Sequence, residues 1–174
     1  SCSESSRITQ RSHARNRSSK RCIGSYSQQS GWRWLPGWTG RCRLLIDTHC
    51  HLNFREPFPD TDAEIAFAKE SGVEQLIVVG CDLESSRRAI ELAEQHKEIF
   101  AVVGIHPNYS ADYKTEWISE IEAMLRHSKV VALGEIGLDY HWDYATREQQ
   151  YDVLKDQLAL GDALNVPLVF HCRE

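Results

Sequence analysis

Nothing in this 174-residue sequence approaches the ~18 consecutive apolar residues a membrane-crossing helix needs. The longest apolar runs, such as Leu76 to Gly80 and Phe100 to Ile105, are strand-sized. No membrane association is therefore expected. Cysteine staples are missing as well. The six cysteines are Cys2, Cys22, Cys42, Cys50, Cys81 and Cys172, with no C-x-x-C pair among them. That argues against a cysteine zinc knuckle. A domain of this size needs no disulfides, so the thiols read as reduced, in a reducing compartment. With no secretory signal in view, the expected location is the cytoplasm. Methionine is nearly absent too: Met124 stands alone, and the chain does not begin with one.

Acids are scarce at one end only. Residues 1–43 hold nine Lys or Arg and a single acid, Glu4, a balance of +8. Residues 44–174 hold eleven Lys or Arg and twenty-four acids, a balance of −13. The basic stretch "SSRITQRSHARNRSSKR" lacks hydrophobic periodicity, and "GWRWLPGWTGR" sets three tryptophans among Gly and Pro. Residues 1–43 are expected to be a poorly ordered extension. A nucleic-acid arm, in which Trp32, Trp34 and Trp38 stack on bases, and a targeting segment are the alternatives. The acidic remainder needs a local basic patch or a metal to accept a polyanion.

From Leu44 onward the pattern becomes regular. Strand-like runs begin at Leu44, Val73, Ile99, Val130 and Pro167. Between them lie helix-like stretches over 61–72, 82–98, 114–128 and 146–165, the first with Thr61 as its N-cap candidate. The alternation predicts β/α units around a parallel sheet. The strands are nearly continuous in Val, Ile and Leu, as strands covered on both faces are. Leu44 to Ile46 reads as an apolar run entering that core. Ionisable residues gather where each strand ends: Asp47, His49 and His51; Asp82; His106; Glu135 and Asp139; His171 and Arg173. Parallel α/β folds place their ligands at that end.

"LLIDTHCHLNF" sets Asp47, His49 and His51 at alternate positions. On a strand they line one face, with the two imidazoles about 6–7 Å apart at Cβ. From there both can lean onto one metal ion. Glu135 and His171 come from other strand ends. Three imidazoles and a carboxylate suit Zn²⁺ or Mn²⁺ better than Ca²⁺.

Four motifs in order, "DTHCHL", "GIHP", "GEIGLDY" and "PLVFHCRE", resemble the TatD family of metal-dependent deoxyribonucleases. The resemblance covers about residues 44–174. It implies an amidohydrolase-like (β/α)8 TIM-type barrel, incomplete here at about five strands and four helices. It also implies one or two divalent ions (Mg, Mn or Zn) and a DNA substrate cut at phosphodiester bonds from 3′ to 5′. By position, His49, His51 and His171 correspond to metal ligands, and Glu135 to the carboxylate that bridges two metals. His106 and Glu135 are the catalytic candidates. Arg173 and Asp139 are candidates for lining the substrate, and Asp47 for orienting a histidine. The family's remaining ligands, a histidine on the sixth strand and an aspartate on the eighth, would lie beyond Glu174. Residues 44–174 alone are thus expected to be poorly stable and weakly active. Hydrolysis of another ester or an amide, or an inert metal-binding remnant, are the alternative readings. No stable protein partner is evident.

Overall fold

A computed structural model describes residues 45–174. The expected extension over residues 1–43, with its three tryptophans, lies outside the described residues. The elements follow the expected alternation: β1 (Leu45–Cys50), α1 (Thr61–Glu70), β2 (Val73–Val79), α2 (Leu83–Gln95), β3 (Ile99–Val103), α3 (Trp117–Leu125), β4 (Val130–Asp139), α4 (Arg147–Leu164) and β5 (Leu168–Arg173). A 3-10 helix, Pro107–Asp112, follows β3 and was not expected from the sequence.

All neighbouring strands pair in parallel, in the order β1-β2-β3-β4-β5. A doubly wound sheet reverses its order at a switch point, whereas a barrel lays each strand beside the last. The sequential order is that of a (β/α)8 barrel, of which these residues form a curled five-stranded part.

The helices begin where local chemistry satisfies their free N–H groups. Asp82 accepts the Ser85 N–H at 2.7 Å, and the Ser85 hydroxyl accepts the Asp82 N–H at 3.0 Å. Thr146 and Gln149 make the same reciprocal pair at the start of α4. At α1 the cap is Asp60 rather than Thr61. The Asp60 carboxylate accepts the Ala63 N–H at 3.0 Å, which places Thr61 inside the first turn.

The sheet buries both faces at its centre. On the helix side, Leu76 and Val78 of β2 pack with Ala89, Leu92 and Ala93 of α2. Further along that side, Val103, Leu133 and Ile136 pack with Ile121 of α3 and Val153 and Leu160 of α4. The opposite face carries a small layer: Val79, Val102 and Ala132, flanked by Ile77 and Val169. These come from β2, β3, β4 and β5, as the packed side chains inside a barrel do. The edge strand β1 departs from expectation: Leu45 and Ile46 are 49% and 43% exposed rather than core. Only β2 pairs with β1 among the described residues, so its apolar side chains lack a covering neighbour.

The inner face leads to the strand ends. His171 shares parity with Val169 on β5, and His106 with Val102 just past β3. On β4 the parity changes. Ala132 faces inward, yet both Leu133 and Ile136 face the helices, and the pairing with β5 shifts register between Leu133 and Ile136. The shift turns Glu135 and Asp139 to the same side as His171. Gly137 sits in this stretch with φ of +143°, and a Cβ there would meet the His171 carbonyl oxygen at 2.0 Å. Only glycine allows the two strands to lie so close.

Candidate metal centre

His49 lies on β1, and His51 directly follows its last residue. Their rings meet edge to face with centroids 5.1 Å apart. Asp47 accepts the backbone N–H of His49 at 3.1 Å, so it fixes the turn of chain that carries the first imidazole. His51 Nδ1 is 3.0 Å from the carbonyl oxygen of Val79. A carbonyl only accepts, so Nδ1 carries the proton and Nε2 keeps a free lone pair. The Asn53 amide donates to the same carbonyl and to that of Ser85, both at 3.0 Å. Burial lowers the His51 pKa and keeps the ring neutral, the state a metal ligand needs.

Glu135 is the junction of the site. One carboxylate oxygen, Oε2, is 3.5 Å from His49 Nε2, and the other, Oε1, is 2.9 Å from His171 Nδ1. Burial alone would raise this carboxyl's pKa. The hydrogen bonds from His171 and His49 outweigh it and hold Glu135 well below the usual carboxylate range. Reciprocally, the bond to Glu135 is the leading cause that raises His49 and His171 above the ordinary imidazole value.

His171 has a carboxylate on each side. Its Nε2 is 3.0 Å from Asp139 Oδ2. Asp139 is 1% exposed, and its other oxygen accepts the His141 N–H at 3.0 Å. Gln150 of α4 clamps the Asp139 backbone, accepting its N–H at 2.9 Å and donating to its carbonyl at 2.8 Å. Two helical turns along, Gln157 clamps Ile105 in the same way, at 2.8 and 3.0 Å. Ile105 precedes His106, so one helix steadies the strand ends that bear Asp139 and His106.

The His106 ring lies 4.3 Å from that of His171 and is buried. Its Nδ1 accepts the Asn108 N–H at 3.1 Å. An N–H only donates, so a neutral His106 carries its proton on Nε2. Burial pushes its pKa down to about 4, so the ring is neutral near pH 7. His51 and His106 therefore present opposite faces of imidazole chemistry, a lone pair and an N–H.

Six of the residues singled out in the sequence are brought together as two adjacent groups. The ligand atoms of His49, His51 and Glu135 lie within 4.8 Å of one another, and so do those of His106, Asp139 and His171. Imidazole nitrogens around a charged carboxylate suit a borderline divalent ion. Arg173 stands at the rim, its guanidinium carbon 5.9 Å from the centre of the Trp142 ring. The sequence reading missed Gln150 and Gln157. Their signal was present: polar residues seven apart on the α4 face that also buries Val153 and Leu160.

With that geometry in view, comparison with known proteins is decisive. Residues 46–174 match the family described as TatD related DNase. The chain belongs to this family. It is 40% identical over 131 residues to the uncharacterized metal-dependent hydrolase YabD of Bacillus subtilis, covering 75% of this chain and 51% of YabD. It is 31% identical over 130 residues to the 3'-5' ssDNA/RNA exonuclease TatD of Escherichia coli, covering 75% of this chain and 50% of that protein. The crystal structure of YjjV, a TatD homologue from E. coli, superposes with a TM-score of 0.70 at 35% identity, over 76% of this chain and 52% of YjjV. The chain thus spans about half the length of the TatD-family relatives it matches. The family expected from the four motifs is the one found.

Proposed function

We propose that the whole protein hydrolyses phosphodiester bonds of DNA, with one or two divalent ions (Mg²⁺, Mn²⁺ or Zn²⁺) held by His49, His51, Glu135 and His171. The observation that carries this reading is Glu135, whose two oxygens each face a histidine nitrogen, Nε2 of His49 and Nδ1 of His171, so one carboxylate joins donors from β1, β4 and β5 that could together hold an ion. The TatD relative named as an exonuclease on single-stranded DNA and RNA supports the substrate class. Such ions supply Lewis acidity toward a phosphoryl oxygen and bring the pKa of a water down toward ~7.

The chain's own groups would do the rest. His51 offers its Nε2 lone pair because Val79 holds the Nδ1 proton. Glu135 stays ionised at neutral pH and would help take the proton of the attacking water. Asp139, buried against Nε2 of His171, positions that ring so that Nδ1 points at Glu135. In this reading Asp139 stands behind His171 rather than on the substrate. His106 would donate its Nε2–H to a phosphoryl oxygen as charge develops there. Arg173, next but one to His171, would meet a neighbouring phosphate.

Among the described residues no helix is long and apolar enough to cross a membrane, and Cys50 and Cys172 are free thiols. We read the protein as cytoplasmic on that thiol chemistry. The test is a substrate panel: single-stranded DNA, duplex DNA, RNA, a carboxylic ester and a lactone, each with Mg²⁺, Mn²⁺ or Zn²⁺. Metal-dependent turnover of the polynucleotides is expected. Turnover of the ester or lactone with none of the polynucleotides would overturn the reading.

A further inference from the structure

The loop between β4 and α4 gathers a second kind of chemistry at the same end of the sheet. Trp142 and Tyr144 stack with ring centroids 5.9 Å apart and an interplanar angle of 29°. Tyr144 is 46% exposed, and neither ring belongs to the hydrophobic cores of the described residues. His141 meets Trp142 edge-on at 4.7 Å, and its Nδ1 lies 3.0 Å from Glu174. Two arginines are interleaved with these rings. Arg173 lies over Trp142, and the Arg147 guanidinium carbon is 4.3 Å from the centre of the Tyr140 ring. In a region with a balance of −13, two arginines set among the half-buried Tyr140 and Trp142 rings and the exposed Tyr144 ring stand apart.

Two short links tie this patch to the candidate metal centre. The His141 N–H donates to Asp139, whose other oxygen meets His171. The Tyr140 N–H donates to the carbonyl of Arg173 at 3.0 Å, two residues past His171. A chain of nucleotides with one phosphate at the centre would therefore pass its next base over this loop. Aromatic faces and arginines are what sequence-tolerant binders use to hold unpaired bases. The bases of a duplex are already stacked on one another, so a ring can reach a base face only in a single strand.

We propose that Trp142 and Tyr144, with Arg173, form a stacking subsite for a nucleobase of single-stranded nucleic acid, beside the phosphate to be cut. This rests on the phosphodiester reading above. The test uses the whole protein with Mn²⁺ and two labelled oligothymidylates, one intact and one abasic over its last two 3′ nucleotides. Replacing both rings, Trp142→Ala with Tyr144→Ala, is expected to raise KM on the intact strand about 10-fold or more. On the abasic strand it is expected to leave KM unchanged. The Trp142→Phe, Tyr144→Phe pair is expected to retain most of the wild-type KM. If the alanine pair does not fold, Tyr144→Ala alone, at an exposed position, gives the same comparison. An equal rise on both strands, or none on either, overturns the subsite. If the wild-type protein cuts neither strand, the phosphodiester reading itself fails.

Discussion

Asp139 Oδ2 lies 3.0 Å from Nε2 of His171, and Nδ1 of the same ring lies 2.9 Å from Glu135 Oε1, so the imidazole is held between two carboxylates. Histidine ligands commonly depend on such a carboxylate for tautomer and ring direction. Asp139→Asn keeps the volume but loses the charge. It is expected to weaken Mn²⁺ or Zn²⁺ affinity about 10- to 100-fold, by calorimetric titration. The ring ¹⁵N shifts of His171 should move with it. Unchanged affinity and unchanged shifts would make Asp139 a structural residue only.

His106→Ala separates holding a metal from using it. If His106 acts as an N–H donor, the variant should keep the wild-type metal content and lose about 10²- to 10³-fold in kcat. His51→Ala should lose metal itself. Metal loss in His106→Ala, read by elemental analysis of dialysed protein, would instead make His106 a ligand.

The clamps from α4 carry a stability prediction. Gln150→Leu leaves the N–H and carbonyl of Asp139 buried without partners, which should cost about 2–4 kcal/mol. The neighbouring Gln149→Ala, at an exposed helix start, should cost about 0.5–1 kcal/mol. Urea melts of the two variants give the ranking. Equal losses would mean that solvent reaches the Asp139 backbone.

With metal removed by chelation, the four histidines should titrate in a set order. His49 and His171 should lie above 6.5, through their bonds to Glu135, and His51 below it, while burial takes His106 to about 4. Between pH 6.5 and about 4, unfolded His106 binds a proton that the folded ring refuses, so its contribution to stability falls as pH drops. His49 and His171 act oppositely: their contribution is full below 6.5 and is lost as pH rises through their raised values. The Glu135 contribution is full above its ordinary 4.5 and is lost as pH falls through its lowered value. Imidazole ¹H–¹⁵N spectra against pH check the order, and His106 titrating above His171 contradicts it.

Local patterning made the alternation of elements and the strand-end histidines legible. The apolar strands and the H-x-H spacing are both written in neighbouring residues. Three features depend on pairings remote in sequence and were not legible. The inward turn of Glu135 needs the register shift between β4 and β5. The exposure of Leu45 and Ile46 depends on what lies beside β1, although their own sequence looks like core. The partnership of Asp139 with His171 spans two strands, and periodicity alone could not separate it from a substrate contact. Asp60 was a nearer miss: a better capping residue stood one position before Thr61.

The most direct test of a metal-dependent phosphodiesterase is cleavage of an end-labelled single-stranded oligodeoxynucleotide by the whole protein. It should be assayed after chelation, after return of Mn²⁺, and in Glu135→Gln. The account predicts no cleavage with chelator, recovery with Mn²⁺, and loss of at least about 10²-fold in the variant. Cleavage that persists in chelator, or that survives intact in Glu135→Gln, would contradict it.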